Sequence, residues 1–274
     1  DESFWVNLLG RGYPAPTVKF RWCTERMKIN PANRFIKNKV EEHGEVIMVL
    51  GTRKAESNTR AQLMNTYEVD GHTSLRYHKY LSGAYVYAPI ADFTADDVWT
   101  YLFTNKSPWG GSNRDLAAIY KTAQDESECP LVIDDSTPSC GNSRFGCWVC
   151  TVVENDVSMR NVIQNGEEWL TPLYEFREKL ANNRNNWEHR SARGRHGNVR
   201  TRNGKVLQGS YNLDTLKEYL QDLLEAQKTV QEHDPEAELI SKEELFEIRR
   251  LWRTEGVGAD IDWDDSVPKI YWEV

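Results

Sequence analysis

The segment TPSCGNSRFGCWVC, residues 137–150, holds three of the chain's five cysteines within eleven residues. Cys147 and Cys150 form a C-x-x-C pair. Cys140 lies seven residues before Cys147 and Cys129 eighteen before it, while Cys23 stands apart in FRWCTERMK. A two-residue gap lets both thiolates of such a pair face one ion, and cysteines distant in sequence can complete a four-coordinate shell. The Gly, Ser and Pro around residues 129–150 would make poor core, so the segment reads as a metal site rather than a set of buried thiols. Cys23 taken alone reads the other way, as a small buried hydrophobe. All-thiolate ligation suits zinc or an iron–sulfur cluster. A zinc ribbon pairs two C-x-x-C knuckles, whereas one close pair with scattered partners favours a [4Fe–4S] cluster. A thioredoxin-like redox pair is disfavoured, because no strand-then-helix pattern frames it.

A second constellation lies in VLGTRKAESNTRA, where Gly51 and Arg53 follow an apolar run and Glu56, Ser57 and Arg60 open a helix. Strand ends of open α/β sheets face the ligand crevice, and a helix N-terminus with arginine nearby suits a phosphate or adenylate. An ordinary solvated turn is the competing reading. A third lies at residues 184–205, where Arg184, Arg190, Arg193, Arg195, Arg200, Arg202 and Lys205 face a single acid, Glu188. Such a patch grips a DNA backbone by releasing counterions. Its Gly and Asn content would let it order on binding. The alternative is a solvated loop paired with the chain's own acidic helices. Trp187 could stack on a base, although a lone Trp is more often core.

The elements that position these residues follow from pattern. Gly10, Gly12, Pro14 and Pro16 make residues 1–22 a loop-rich entry. Asn30 as N-cap, Pro31 and a terminal Gly44 predict a helix. EVIMVLG (45–51) reads as a buried parallel strand, a helix follows near 56–68, and AYVYAPI (84–90) is a further strand. Thr94 and Asp97 form a capping box for the next helix. Beyond about residue 155 long amphipathic helices dominate, with Ser241 and Glu244 as a second box. A hairpin is expected at Asn203–Gly204. Alternating strands and helices give an α/β fold, expected as a doubly wound parallel sheet.

The chain has 274 residues, a net charge of −8 and 39% hydrophobic residues, enough for a sizeable core. The acidic balance argues against nucleic-acid coating by the whole surface while leaving room for a local basic patch. No apolar run approaches the roughly 18–20 residues that span a bilayer. An odd, small number of cysteines does not make a secreted disulfide framework. A soluble cytoplasmic protein without membrane contact is expected. The chain opens at DESFWVNLLG without Met, as a fragment or processed product would.

RWCTERMKI, GTRKAESNTRA and YAPIADFTADDVWTYL resemble successive motifs of the phosphoadenylylsulfate (PAPS) reductase-like family of ATP pyrophosphatases. SCGNSRFGCWVCTVVENDVSM narrows the likeness to the DndC-type sulfurtransferases of bacterial DNA phosphorothioation, or their close relatives in single-strand phosphorothioation systems. The likeness runs from about residue 4 to at least 160. The resemblance implies an adenine-nucleotide-hydrolase (HUP) sheet over residues 1–125, an iron–sulfur segment over 126–155 and a mainly helical region over 156–274 that carries the basic loop.

Residue by residue, the resemblance makes Cys23, Cys147 and Cys150 cluster ligands, with Cys129 chosen over Cys140 as the fourth. It makes Gly51, Arg53, Glu56, Ser57 and Arg60 nucleotide contacts. Arg21 would meet a phosphate or form a surface ion pair. It implies ATP with Mg as cofactor, DNA as substrate, a cysteine desulfurase as sulfur donor and further subunits of the modification system, which is linked to restriction–modification. No catalytic residue is assigned. Two departures stand out: the family's S-G-G-K-D-S-type ATP loop is nowhere in the chain, and the last cysteine is Cys150, against the C-terminal catalytic cysteine of assimilatory reductases. The alternatives are a PAPS or adenylylsulfate reductase-like or tRNA-thiolating enzyme of the same fold, or a non-catalytic DNA-binding or assembly subunit stapled by its metal.

Overall fold

The computed structural model describes residues 3–69, 72–122 and 147–254. Cys129, Cys140 and the acidic tail lie outside them. Packing groups the chain into two compact units, one formed by Ile29–Phe145 and the other by Asp1–Lys28 with Gly146–Val274.

The central unit opens with α1 (Asn30–His43). Asn30 does not cap it, because Glu25–Ile29 is already helical and leaves Asn30 inside the helix. Gly44, at φ 82°, ends it. Then come β1 (Val46–Val49), α2 (Asn58–Thr66), β2 (Glu68–Val69), β3 (His72–Tyr77), β4 (Ala84–Tyr87), α3 (Ala95–Thr104) and α4 (Asn113–Thr122).

The sheet order is β1-β4-β3-β2. β1 runs parallel to β4, from Val46 opposite Ala84 to Val49 opposite Tyr87, while β3 is antiparallel to β4 and β2 antiparallel to β3. The sheet is therefore mixed, and the parallel expectation holds at one pair. The physical reason is the β2–β3 hairpin between α2 and β4: a hairpin reverses the chain, so only the crossover through α2 can deliver a parallel neighbour. β1 is an edge strand with Ile47 and Val49 60% and 65% exposed. Gly83 lets the β3–β4 loop approach α1, since a Cβ there would sit 2.9 Å from Val40 Cγ1.

The other unit contains α5 (Val157–Gln164), α6 (Thr171–Asn183), the two-stranded hairpin β5 (Thr201–Arg202) and β6 (Lys205–Val206), α7 (Leu213–His233) and α8 (Lys242–Thr254). Its core joins Leu180, Leu216, Leu220 and Leu223 to Ile248, Leu251 and Trp252. The entry segment is part of this core. Val6–Gly10 is a wide helical turn with every residue buried. Ser3 accepts the Val6 N–H at its hydroxyl, Trp252 Nε1 donates to the Leu9 carbonyl at 2.8 Å, and Trp5 Nε1 donates to the Leu239 carbonyl at 2.6 Å. The glycines and prolines forbid a long helix, as expected. One turn is enough to bury Trp5, Leu8 and Leu9, each a large apolar side chain contributing about 1.5–3 kcal/mol.

Candidate functional site

The described cysteines, Cys23, Cys147 and Cys150, lie in the second unit. Cys23 sits on the short helical turn Trp22–Thr24, half-buried, beside Trp22, whose Nε1 donates to the Pro14 carbonyl at 2.9 Å. Cys147 is exposed and Cys150 half-buried, and the Cys150 N–H donates to the Cys147 carbonyl at 3.0 Å, closing the knuckle as a tight turn. Burial pushes the Cys23 thiol upward. A Thr24 hydrogen bond opposes this, and the neighbouring Cys150 and Cys147 push the same way as burial, so the three thiols feel one another.

What holds the knuckle is Arg177 on α6. Its side chain is 0% exposed. Nε donates to the Cys150 carbonyl at 3.1 Å, Nη1 to the Glu154 carbonyl at 3.1 Å and to the Glu178 carboxylate, and Nη2 to the Val153 carbonyl. Arg184 donates to the Thr151 carbonyl, and Thr151 Oγ1 donates to the Pro16 carbonyl at 2.8 Å. A rigid guanidinium fork is suited to gathering several carbonyls at once, and Glu178 balances its buried charge. Sequence reasoning missed Arg177. The signal was there: Leu173, Phe176, Arg177 and Leu180 share one helical stripe, and a charge on an apolar stripe must find partners.

Among the described residues, no three His, Cys, Asp or Glu side chains converge closely enough to hold an ion. The donor chemistry fits an all-thiolate centre, of which Cys23, Cys147 and Cys150 would supply three thiols.

The strand-end turn lies in the central unit. Arg53 is 7% exposed; its Nη1 donates to the Phe93 carbonyl at 3.5 Å and its Nε lies 3.7 Å from Glu56 Oε1. Glu56 also pairs with Arg60 and accepts from the Arg53 N–H. Ser57 Oγ accepts the Arg60 N–H at 3.2 Å, capping α2. A Cβ on Gly51, at the end of β1, would make an ordinary 3.8 Å contact with Ile90 Cδ1. The turn gathers all five residues, and Glu56 already pairs with both arginines. An arriving phosphate would have to displace it.

The basic segment divides into two groups. Arg190 is buried: its guanidinium donates to the Gly209 and Arg184 carbonyls and lies 5.2 Å from the Tyr211 ring centre. Burial lowers its affinity for the proton. Arg190 therefore fastens the loop from within, because its Nε, Nη1 and Nη2 all donate to carbonyls, and Arg184 adds a donor to the Thr151 carbonyl. Arg193 Nη1 donates to the Gly197 carbonyl at 3.2 Å and Arg195 Nη1 to the Tyr13 hydroxyl at 3.3 Å. Arg200, Arg202 and Lys205 are exposed on or beside the hairpin. Its turn is Asn203–Gly204, with φ 51° and 75°, the left-handed pair that a two-residue hairpin demands.

A mixed sheet with helices beside it, and a charged turn at a strand end, make the central unit an α/β fold. The phosphoadenosine phosphosulfate reductase domain model matches residues 10–153, and the chain belongs to that family. The family is enzymatic and includes ATP-pyrophosphatase-like members. An uncharacterized protein of Methanocaldococcus jannaschii is 27% identical over 184 residues, covering 65% of this chain and 30% of that protein. The chain thus spans about a third of that relative's length. No solved structure matches. Among the described residues no helix is long and apolar enough to cross a membrane.

Proposed function

We propose that the chain is the sulfurtransferase part of a DNA phosphorothioation system of the DndC type. The observation that supports this best is the presence, in one compact unit, of a fastened thiol knuckle and an outward-facing basic hairpin. Family membership adds sulfur-transfer or nucleotide-sulfate chemistry.

In this reading a non-bridging oxygen of a DNA phosphate attacks the α-phosphorus of ATP, and pyrophosphate leaves. The oxygen is then part of a good leaving group. A persulfide supplied by a cysteine desulfurase attacks the DNA phosphorus through its terminal sulfur, and AMP departs with the original oxygen. A second thiol cleaves the remaining S–S bond, itself becoming a disulfide, and leaves sulfur on the phosphate. Gly51, Arg53, Glu56, Ser57 and Arg60 would border the nucleotide. Cys23, Cys147 and Cys150, with Cys129 or Cys140, would hold a [4Fe–4S] cluster, which when bound supplies iron–sulfur redox chemistry. Arg177 keeps the knuckle in place.

The test is product analysis with the full-length protein, ATP and DNA under anaerobic conditions. DNA-dependent release of pyrophosphate with AMP supports the proposal. Sulfite formed from a nucleotide-activated sulfate, without pyrophosphate, would establish the second reading, a reductase true to the family's namesake. Neither product would leave a DNA-binding or assembly subunit.

A further inference from the structure

A cavity of about 370 Å³ opens beside the basic hairpin, wholly within the unit that carries the thiols. Its lining includes two aromatic side chains, Tyr13 and Phe20, and the basic side chains Arg195, His196 and Arg200. Among the described residues, no Asp or Glu lines it. Its position is fixed by backbone: Thr17 and Phe20 exchange both their N–H···O bonds, and the Tyr211 N–H donates to the Gly12 carbonyl at 3.1 Å.

Among the described residues that line the cavity, no acid offsets its cations. Arg195 and Arg26 lie over the Tyr13 ring at 5.6 and 5.3 Å and both donate to its hydroxyl. Arg200 forms no ion pair or side-chain hydrogen bond with a described residue, and its charge acts against that of the buried Arg190. Cations gathered in a cleft without a carboxylate attract an anion. Aromatic side chains beside them offer what a nucleobase needs, a π-face.

We propose that this cavity receives one unstacked nucleotide of a single DNA strand, with its base against Phe20 and its phosphate on Arg195 and Arg200. The inference rests on the DNA reading above and adds the strand state. The volume lies near the lower end of ordinary ligand clefts, roughly 300–1,000 Å³, and has room for a nucleotide but not for a duplex. A paired base must therefore leave its stack, or already be single-stranded, to enter. The exposed Arg202 and Lys205 on the adjacent hairpin would continue along the backbone of the same strand.

The experiment is fluorescence anisotropy on the full chain with three labelled probes of equal length: an oligothymidine strand, its duplex with oligoadenosine, and the same strand made abasic. The single strand is expected to bind roughly tenfold more tightly than the other two, consistent with base–aromatic stacking. Phe20→Ala should abolish that advantage while leaving the abasic strand unaffected; Phe20 is 44% exposed, so the fold tolerates the change. Arg200→Ala should weaken all three. Equal binding of strand and duplex, unmoved by Phe20→Ala, would overturn the inference and leave DNA binding standing. Displacement of the strand by AMP at concentrations near its own affinity would instead make this a free-nucleotide site and overturn the strand assignment. Failure to bind any of the three probes would overturn the DNA reading itself.

Discussion

Arg177 is the residue on which the thiol site depends, and the dependence is measurable. Its guanidinium makes four hydrogen bonds, to three carbonyls of residues 150–154 and one carboxylate. Arg177→Met keeps the aliphatic stem but leaves those carbonyls without donors and Glu178 without its partner. Each unsatisfied buried group costs about 1–3 kcal/mol. A loss of at least about 3 kcal/mol is therefore expected in a urea titration. Arg177→Lys should recover a minority of it, because a point charge cannot span the fork. The second expected effect is chemical: in the Met variant Cys150, half-buried in the parent, should react with a thiol reagent faster than in the parent. An unchanged rate would show that the guanidinium stabilises the helix without positioning the knuckle.

At the scale of elements, Gly209 joins the two sides of the basic loop. Its carbonyl accepts from Arg190, its N–H donates to the Ser191 carbonyl at 2.7 Å, and a Cβ would collide with the Arg193 carbonyl. Gly209→Ala cannot be accommodated without moving backbone. A cost of about 2–4 kcal/mol is expected, as for an overpacked site at its worst, with a lowered melting temperature as the check.

Elements with strong local signals were legible in the sequence. Both capping boxes close as read: Thr94 Oγ1 accepts the Asp97 N–H at 3.1 Å, and Ser241 Oγ accepts the Glu244 N–H at 3.2 Å. The 21-residue span of α7 and the Asn203–Gly204 turn also follow directly. Less legible were elements whose order comes from tertiary packing. HTSLRY carries no clean alternation and becomes β3 by pairing with its neighbours. The wide turn at Val6–Gly10 is too short to show a period, and burial against α7 and α8 holds it. The candidate site divided the same way. Cysteine spacing announced the knuckle, while the inward roles of Arg177, Arg184 and Arg190 depend on carbonyls that no spacing specifies.

For the molecule as a whole, the balance of charge sets the terms of any nucleic-acid encounter. A chain of net charge −8 repels a phosphate backbone at long range. Binding must therefore come from the few outward cations, and salt should weaken it steeply. Each phosphate contact contributes a slope of about −0.7 for a single strand in a plot of log affinity against log salt. Replacing Arg200, Arg202 and Lys205 together by Ala should flatten that slope by about 2, whereas replacing Arg190 should leave the slope alone and lower stability. A slope unaltered by the triple change would remove the hairpin from the interface.

The grip of Arg177 also bears on descent. The family model's match ends at residue 153, yet the knuckle inside that boundary is held by a side chain 24 residues beyond it. Natural recombination that exchanged the family domain at its apparent edge would bring the cysteines without their clamp. Lineages that keep a working thiol site should therefore inherit α6 along with it, and domain grafts made in the laboratory need their seam after residue 184.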